Sequence, residues 1–305
     1  MKRRKCEDLL VQFKGDNIKL KSEKLNFIVS DRRDVYNITA PFNIDSEIAI
    51  AGRVEARDSE HSRIMFFKEV DKAWRVIEGA PVFDLQDPFV TKIGGELVLG
   101  GVEIYETGNV EVPICYRTVF LKGESLNTLK RFAVGPDKMK DIRLLELQDK
   151  RILVFTRPQG EIGGRGTVGY FIIEDLKELT IENIKNAKLL DDMFYKEEWG
   201  GANELHLLEG GNIGILAHIA KFDEAGNRHY YSSVFTFNYE TLEYSEMKLI
   251  AIRDNFEAGA AKRSDLIDVI FSGGLIRMEN GQAELYCGVS DAEAHKILIT
   301  DPFKF

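Results

Sequence analysis

The sequence predicts an all-β protein, a five-bladed β-propeller forming a single domain over residues 1–305. Three observations lead there. Helical periodicity is scarce, and short runs of Val, Ile, Leu, Phe and Tyr bounded by Gly, Asp and Asn dominate, as β-hairpins do. Five of these hairpins resemble one another, with turns beginning near Asp45, Gly94, Asp149, Gly210 and Asn280, roughly 50–70 residues apart. A β unit recurring on that scale suits radial repetition, in which each blade covers its neighbour and the closed ring leaves few sheet edges exposed. A β-sandwich with chance similarity between hairpins is the alternative.

The first two copies are the closest. Pro41-Phe42-Asn43-Ile44 leads to Ala51-Gly52-Arg53-Val54-Glu55, and Pro88-Phe89-Val90-Thr91 leads to Gly100-Gly101-Val102-Glu103. The later copies, Leu144–Thr156, Leu205–Ile219 and Ile276–Val289, keep the strand–turn–strand form. Only Leu176–Leu190 has apolar positions at spacings of three and four, which predicts a helix there. No Pro/Gly/Ser-rich linker divides the chain.

Composition bounds the function. Hydrophobic residues make up 44% and charged residues 30%, enough for a core and unlike a disordered chain. The formal charge of −9 argues against general nucleic-acid binding, because little here would neutralise phosphates along a groove. No apolar run approaches a bilayer span, and the basic start Met1–Lys5 is not followed by the apolar core of a signal peptide. Cys6, Cys115 and Cys287 are odd in number and widely spaced, so neither a disulfide framework nor a zinc knuckle is expected. The expectation is a reduced, cytoplasmic protein without metal or organic cofactor, and without nucleic-acid or membrane partners.

Polar residues recur ahead of the hairpin turns: Asp87, Asp141, Asn203 with Glu204, and Asp268. In a propeller these strand entries face the axis, so their side chains converge, although Asp and Asn also serve there as ordinary turn residues. Gly164–Gly169 matches G-x-G-x-x-G but precedes a strand-like run, which removes the helix terminus that would hold phosphate. It is expected to be a flexible loop near the pocket. The five histidines show no metal spacing, and there is no G-x-S-x-G elbow. His218, inside the apolar run Ile213–Ala220, has the surroundings of a core histidine.

Seven segments in order carry a resemblance: Gly52–Glu60, Asp84–Pro88, Lys140–Leu144, Phe155–Gly160, Trp199–Glu204, Phe271–Gly274 and Tyr286–Ala292. Through them the chain resembles the mannosyltransferase/phosphorylase family, five-bladed propellers acting on β-1,2-linked mannose and related to the inverting β-mannoside phosphorylases. The resemblance implies Asp87 as general acid, at the aspartate of the phosphorylases' Asp-Pro-Arg motif. Phe89 stands where that motif has its arginine, which removes one phosphate contact. It also implies Arg117, Lys140 and His218 as phosphate-binding cations, and Arg53, Asp58, Asp141, Arg157 and Asp291 as ligands of sugar hydroxyls. Inorganic phosphate or mannose 1-phosphate would be the co-substrate, and a mannose-containing oligosaccharide or a nucleotide-mannose the other.

An inverting phosphorylase needs one carboxyl group to protonate the leaving oxygen and a cationic pocket to hold phosphate, without the second carboxylate that activates water in a hydrolase. As that acid, Asp87 is expected to have a pKa raised by burial and by Asp141 or Asp291, with nearby cations opposing. An inverting glycoside hydrolase using Asp268 or Glu204 as base, and a non-catalytic glycan-binding propeller, are the alternatives. Acceptor length, donor, direction and oligomeric state, including a homo-oligomer, stay open.

Overall fold

The computed structural model describes residues 3–16, 20–30 and 33–304. Antiparallel pairing sorts its strands, apart from Phe27–Ile28, which runs parallel to Ala73–Val76, into five groups, each starting with an innermost strand and stepping outward by hairpins. In the first group the innermost strand is split into Asp34–Tyr36 and Phe42–Ile44, both paired with Glu47–Glu55; Arg63–Val70 and Ala73–Val76 follow. The second group runs Gln86–Ile93, Glu96–Glu106, Ile114–Gly123 and Lys130–Val134. The third is Arg143–Glu146, Ile152–Thr156, Gly169–Ile173 and Lys188–Leu189. The fourth is Glu198–Leu207, Asn212–Phe222, Arg228–Asn238 and Lys248–Ala251.

The fifth group takes Asp268–Arg277, Gln282–Val289 and Glu293–Thr300 from the C-terminal end and its outer strand, Lys21–Lys24, from the N-terminal end. That pairing ties the two ends of the chain together. Successive innermost strands contact one another from the second group to the fifth, and the fifth packs on Asp34–Tyr36 of the first, so the groups form the ring of a propeller. Apolar clusters fill the space between groups; one joins Phe89, Val98 and Phe120 of the second to Leu144, Ile152 and Val154 of the third. No helix of the described residues is long and apolar enough to cross a membrane.

All five expected turns join the first and second strands of a group. Asp45 and Ser46, Gly94 and Gly95, Lys150, Gly210 and Gly211, and Gly281 take the positive φ that such tight turns require. The helix expected over Leu176–Leu190 does not form as one element. Leu176–Glu178 is a 3-10 turn and Thr180 caps a short helix Ile181–Lys185 by accepting a bond from the Asn183 amide, while Lys188–Leu189 is the outer strand of the third group. The pattern was apolar enough for a helix, but edge pairing with Gly169 and Tyr170 captures its end. The N-terminal helix Cys6–Gly15, which the sequence reading did not anticipate, buries Cys6, Leu9 and Phe13 against the third and fourth groups.

Candidate active site

The innermost strands are irregular where they meet at one end of the ring. Register shifts lie at Gln86/Phe89, Ala202/Glu204 and Ser272/Gly274, and the first group's innermost strand is broken over residues 37–41. Bulges re-aim side chains and are common beside active sites. Here they direct Asn37, Asp87 and Asn203 into one cavity of about 200 Å³, with Lys140, Asp141, His218, Tyr230 and Asp291 also in its walls. Asn37, Asp87, Asp141 and Asp291 all have φ between 46° and 60°. Asn and Asp tolerate this left-handed region better than other L-residues, and its concentration on one cavity is the kind of strain held at functional sites.

Asp87 is held from two sides. Asn37 Nδ2 donates to its Oδ1 at 2.8 Å and Arg53 Nη1 at 3.1 Å. Arg53 is fixed behind it: its Nε donates to Glu55 at 2.9 Å, and Glu55 also accepts from Tyr36, from Ser62 at 3.0 Å and from Lys262 at 2.8 Å. Burial pushes the Asp87 carboxyl up, but the charges of Arg53 and Lys140, with the two hydrogen bonds, outweigh it and leave it below the usual Asp value. The raised pKa expected from the sequence is therefore corrected: the neighbours of Asp87 favour its ionised form. Asp291 behaves oppositely: burial and the neighbouring Asp87 charge raise it, against the pull of Arg53, Lys140 and Lys262.

Across the cavity, Arg157 Nη1 donates to Asp141 at 3.0 Å, and both side chains are buried. Burial would raise Asp141, but Arg157, His218, Lys140 and Arg143 hold it well below the carboxylate range. Gly201 makes this packing possible, since a Cβ there would lie 2.9 Å from Arg157 Cδ and 3.3 Å from both Asp141 Cβ and His218 Cε1. Lys140 lines the cavity without a carboxylate within 4 Å among the described residues. Its ammonium is kept protonated, burial being outweighed by Asp141 and Asp87. Lys140 is thus the cavity cation that an anionic ligand can engage without first breaking an ion pair.

His218 lines the same cavity, but as a neutral imidazole. Burial, then the positive charges of Arg157, Lys140 and Arg143, push its pKa down to about 3 despite Asp141. Its Nδ1 lies 2.8 Å from Asn203 Oδ1, an acceptor, which places the proton on Nδ1 and leaves Nε2 as a lone pair without a partner among the described residues. The expected phosphate-binding cation is corrected on this ground. A depressed histidine pKa contributes stability that is present above the ordinary value of 6.5 and declines as pH falls from there toward 3. His218→Gln is accordingly expected to flatten the stability curve between pH 6.5 and 4, read by urea unfolding at a series of pH values; an unchanged curve would mean the imidazole is not buried neutral.

Other expected residues lie elsewhere. Arg117 is paired with Glu103, Nε to Oε2 at 2.8 Å, beside Arg131 on the same carboxylate, and does not line the cavity. Asp58 sits on an exposed turn outside it. Arg53 and Arg157 stand behind Asp87 and Asp141 instead of in the walls. Phe89 turns away into the core, where the Arg143 guanidinium lies 4.1 Å from its ring centre. The glycine loop does not line the cavity; it closes over Arg157, whose Nε would be 2.6 Å from a Cβ on Gly166 at φ 141°.

Asp268 and Glu204 are engaged outside the cavity walls, Asp268 by His229 and Tyr231, Glu204 by the Leu275 amide and His206. Asn37, Tyr230, Arg228 and Arg263 were missed. Asn37 precedes Pro41-Phe42 as Asp87 precedes Pro88-Phe89, but three residues further away because its strand is split, which hides the correspondence. Among the described residues no group of three or more His, Cys, Asp and Glu is placed to hold a metal ion.

Residues 12–305 match a family described as Protein of unknown function (DUF1861). A mannose phosphorylase from Leishmania mexicana, solved with a phosphate ion, is 32% identical, with a TM-score of 0.89 over 97% of this chain and 93% of that one. The chain belongs to the mannosyltransferase/phosphorylase family. A second member from the same organism, a GDP-Man-dependent mannosyltransferase, is 30% identical, with a TM-score of 0.89 over 99% of this chain and 96% of that one. The fold extends beyond the family: a β-1,2-mannobiose phosphorylase from Listeria innocua, 14% identical, has a TM-score of 0.61 over 92% of this chain and 91% of that one. No curated protein matches.

Proposed function

We propose that this chain transfers mannose with inversion between a β-1,2-mannoside and phosphate, forming or consuming α-mannose 1-phosphate, with Asp87 as the general acid and base. The observation that carries the reading is the cavity itself. An ordered carboxylate, held by Asn37 and Arg53, shares its walls with Lys140, a cation free of ion pairs among the described residues.

In phosphorolysis a phosphate oxygen attacks C1 from the face opposite the glycosidic oxygen. The C1–O bond breaks, its electron pair passes to the leaving oxygen, and Asp87 supplies the proton. In the reverse direction ionised Asp87 takes the proton from the acceptor hydroxyl, the form that Arg53, Lys140 and Asn37 favour. A phosphate dianion beside Lys140 offsets one of the charges that depress Asp87, so its arrival favours the protonated form needed for cleavage. Asn203, His218 and Asp291 supply hydrogen-bonding groups for sugar hydroxyls. Phosphate is then the only co-substrate required, with no organic cofactor.

The test is incubation with β-1,2-mannobiose with and without phosphate, and with GDP-mannose plus mannose in parallel. Phosphate-dependent release of mannose 1-phosphate is expected. Sugar release indifferent to phosphate would instead support a hydrolase, a reading weakened because neither Asp268 nor Glu204 lines the cavity. Binding without turnover of any mannoside would leave a glycan-binding module.

A further inference from the structure

Lys262 does not line the cavity. It sits in the connection of residues 252–267 between the fourth and fifth groups, yet its side chain is only 5% exposed. The connection is tied down along the fifth group. The Ala260 amide donates to Glu293 at 3.2 Å, and the Lys262 amide donates to the carbonyl of Ser290, the residue before Asp291, at 3.0 Å. Arg253 Nε donates to the Ser290 hydroxyl at 3.0 Å. From this anchorage the Lys262 ammonium crosses to the first group and donates to Glu55 Oε1 at 2.8 Å. We propose that Lys262 is a positioning residue for Asp87: by meeting the charge of Glu55 it leaves Arg53 Nη1 to the general acid and base of the reaction proposed above.

Charge balance calls for such a group. Arg53 approaches Glu55 Oε2 through Nη2 at 2.7 Å and Asp87 Oδ1 through Nη1 at 3.1 Å, and water covers little of any of the three side chains. One guanidinium cannot neutralise two buried carboxylates, and an unmatched buried charge is costly. With Lys262 in place, two cations face two carboxylates. Burial would raise Glu55, but Arg53 and the bonds from Lys262 and Tyr36 keep it below the usual Glu value, so it competes for Arg53 as an anion.

The other neighbours do not replace Lys262. Tyr36 and Ser62 donate to Glu55 Oε2, the oxygen that Arg53 also uses, and bring no charge. Glu60, the second carboxylate on Lys262 at 3.0 Å, is 66% exposed and screened by water. On the cavity side, Lys140 and Asn37 favour ionised Asp87 and Arg143 also senses its charge, whereas Asp291 opposes it. Loss of Lys262 would therefore leave Glu55 and Asp87 to share Arg53, and Asp87, with the longer contact, would take up a proton more readily.

Carbon NMR of the full chain, labelled at the aspartate carboxyl carbons, tests this, the Asp87 signal being the one absent from Asp87→Asn. Lys262→Met is expected to move the Asp87 titration up by about one pH unit, a tenfold change in the ratio of its two forms. Lys262→Arg should keep the wild-type position, and Glu55→Gln, which removes the competitor, should move it down. The double variant Lys262→Met/Glu55→Gln buries no unmatched charge and is expected to return to the wild-type position. Urea unfolding checks that each variant folds. A residue that only braces the fifth group against the first would lower stability and leave the titration unmoved, and that result overturns the inference. If Lys262→Met does not fold, an unmoved Asp87 in Glu55→Gln overturns it equally. The acid limb of mannosyl transfer from mannose 1-phosphate, the direction that needs ionised Asp87, is expected to follow the same shifts. Shifted titrations in a protein that turns over no mannoside uphold the role of Lys262 and refute the proposed reaction; phosphate-dependent turnover with unmoved titrations does the reverse.

Discussion

Asp87→Asn is expected to lower mannosyl transfer by ~10²–10⁴-fold, the usual worth of general acid–base assistance, while leaving folding and ligand affinity nearly unchanged. The structure explains why so large an effect can come without collapse. Asn tolerates the positive φ at position 87 and can still accept from Asn37 or Arg53 through its carbonyl. Arg53 keeps its other partner, Glu55, so no buried cation is stranded. What the amide cannot do is take up and release a proton. Steady-state kinetics with calorimetric binding on the same preparation checks this. A variant retaining more than about a tenth of the activity, outside that acid–base range, would move the role to another cavity carboxyl, with Asp291, already biased toward its protonated form, the first to examine.

The largest stability effect is expected on the other side of the cavity. Asp141→Asn preserves shape and backbone tolerance but leaves Arg157 buried without its counter-charge, and breaking one side of a buried pair costs about 3–5 kcal/mol. The same variant should lose an acid-sensitive component of stability. Asp141 has a depressed folded pKa, so its contribution is present above the unfolded value of about 3.9 and declines as pH falls below it. Urea unfolding at pH 7 and at pH 3.5 should show a smaller gap between wild type and variant at the lower pH. A constant gap would mean that the Asp141–Arg157 pair is not charged in the fold.

The hairpins were legible because each is local: an alternating run, a turn residue able to take positive φ, and a second alternating run. Their repetition supplied the propeller. The stretch after Leu176 was not legible, since a few apolar residues at helical spacing were claimed by edge pairing, a tertiary effect that no local window contains. In the site, Asp87 and Asp141 were legible as strand entries, Lys140 and Asp291 lie in family-like segments, and His218 follows from the resemblance alone; all five line one cavity.

Arg117 illustrates the limit of that reading. Its position on the third strand of the second group pairs it with Glu103 on the neighbouring strand, a cross-strand partner invisible without register. Tyr230, Arg228 and Arg263 enter from an outer strand and from a connection between groups, where nothing repeats. Charge states were less legible still. His218 is neutral and Asp87 ionised because of the neighbours they meet in three dimensions.

The central claim is a single inverting displacement by phosphate, assisted by Asp87. Following the reaction of β-1,2-mannobiose with inorganic phosphate by phosphorus and proton NMR tests it most directly. The first-formed product is expected to be α-mannose 1-phosphate, in step with free mannose and absent without phosphate. First-formed β-mannose 1-phosphate, or free mannose released at the same rate without phosphate, would contradict it.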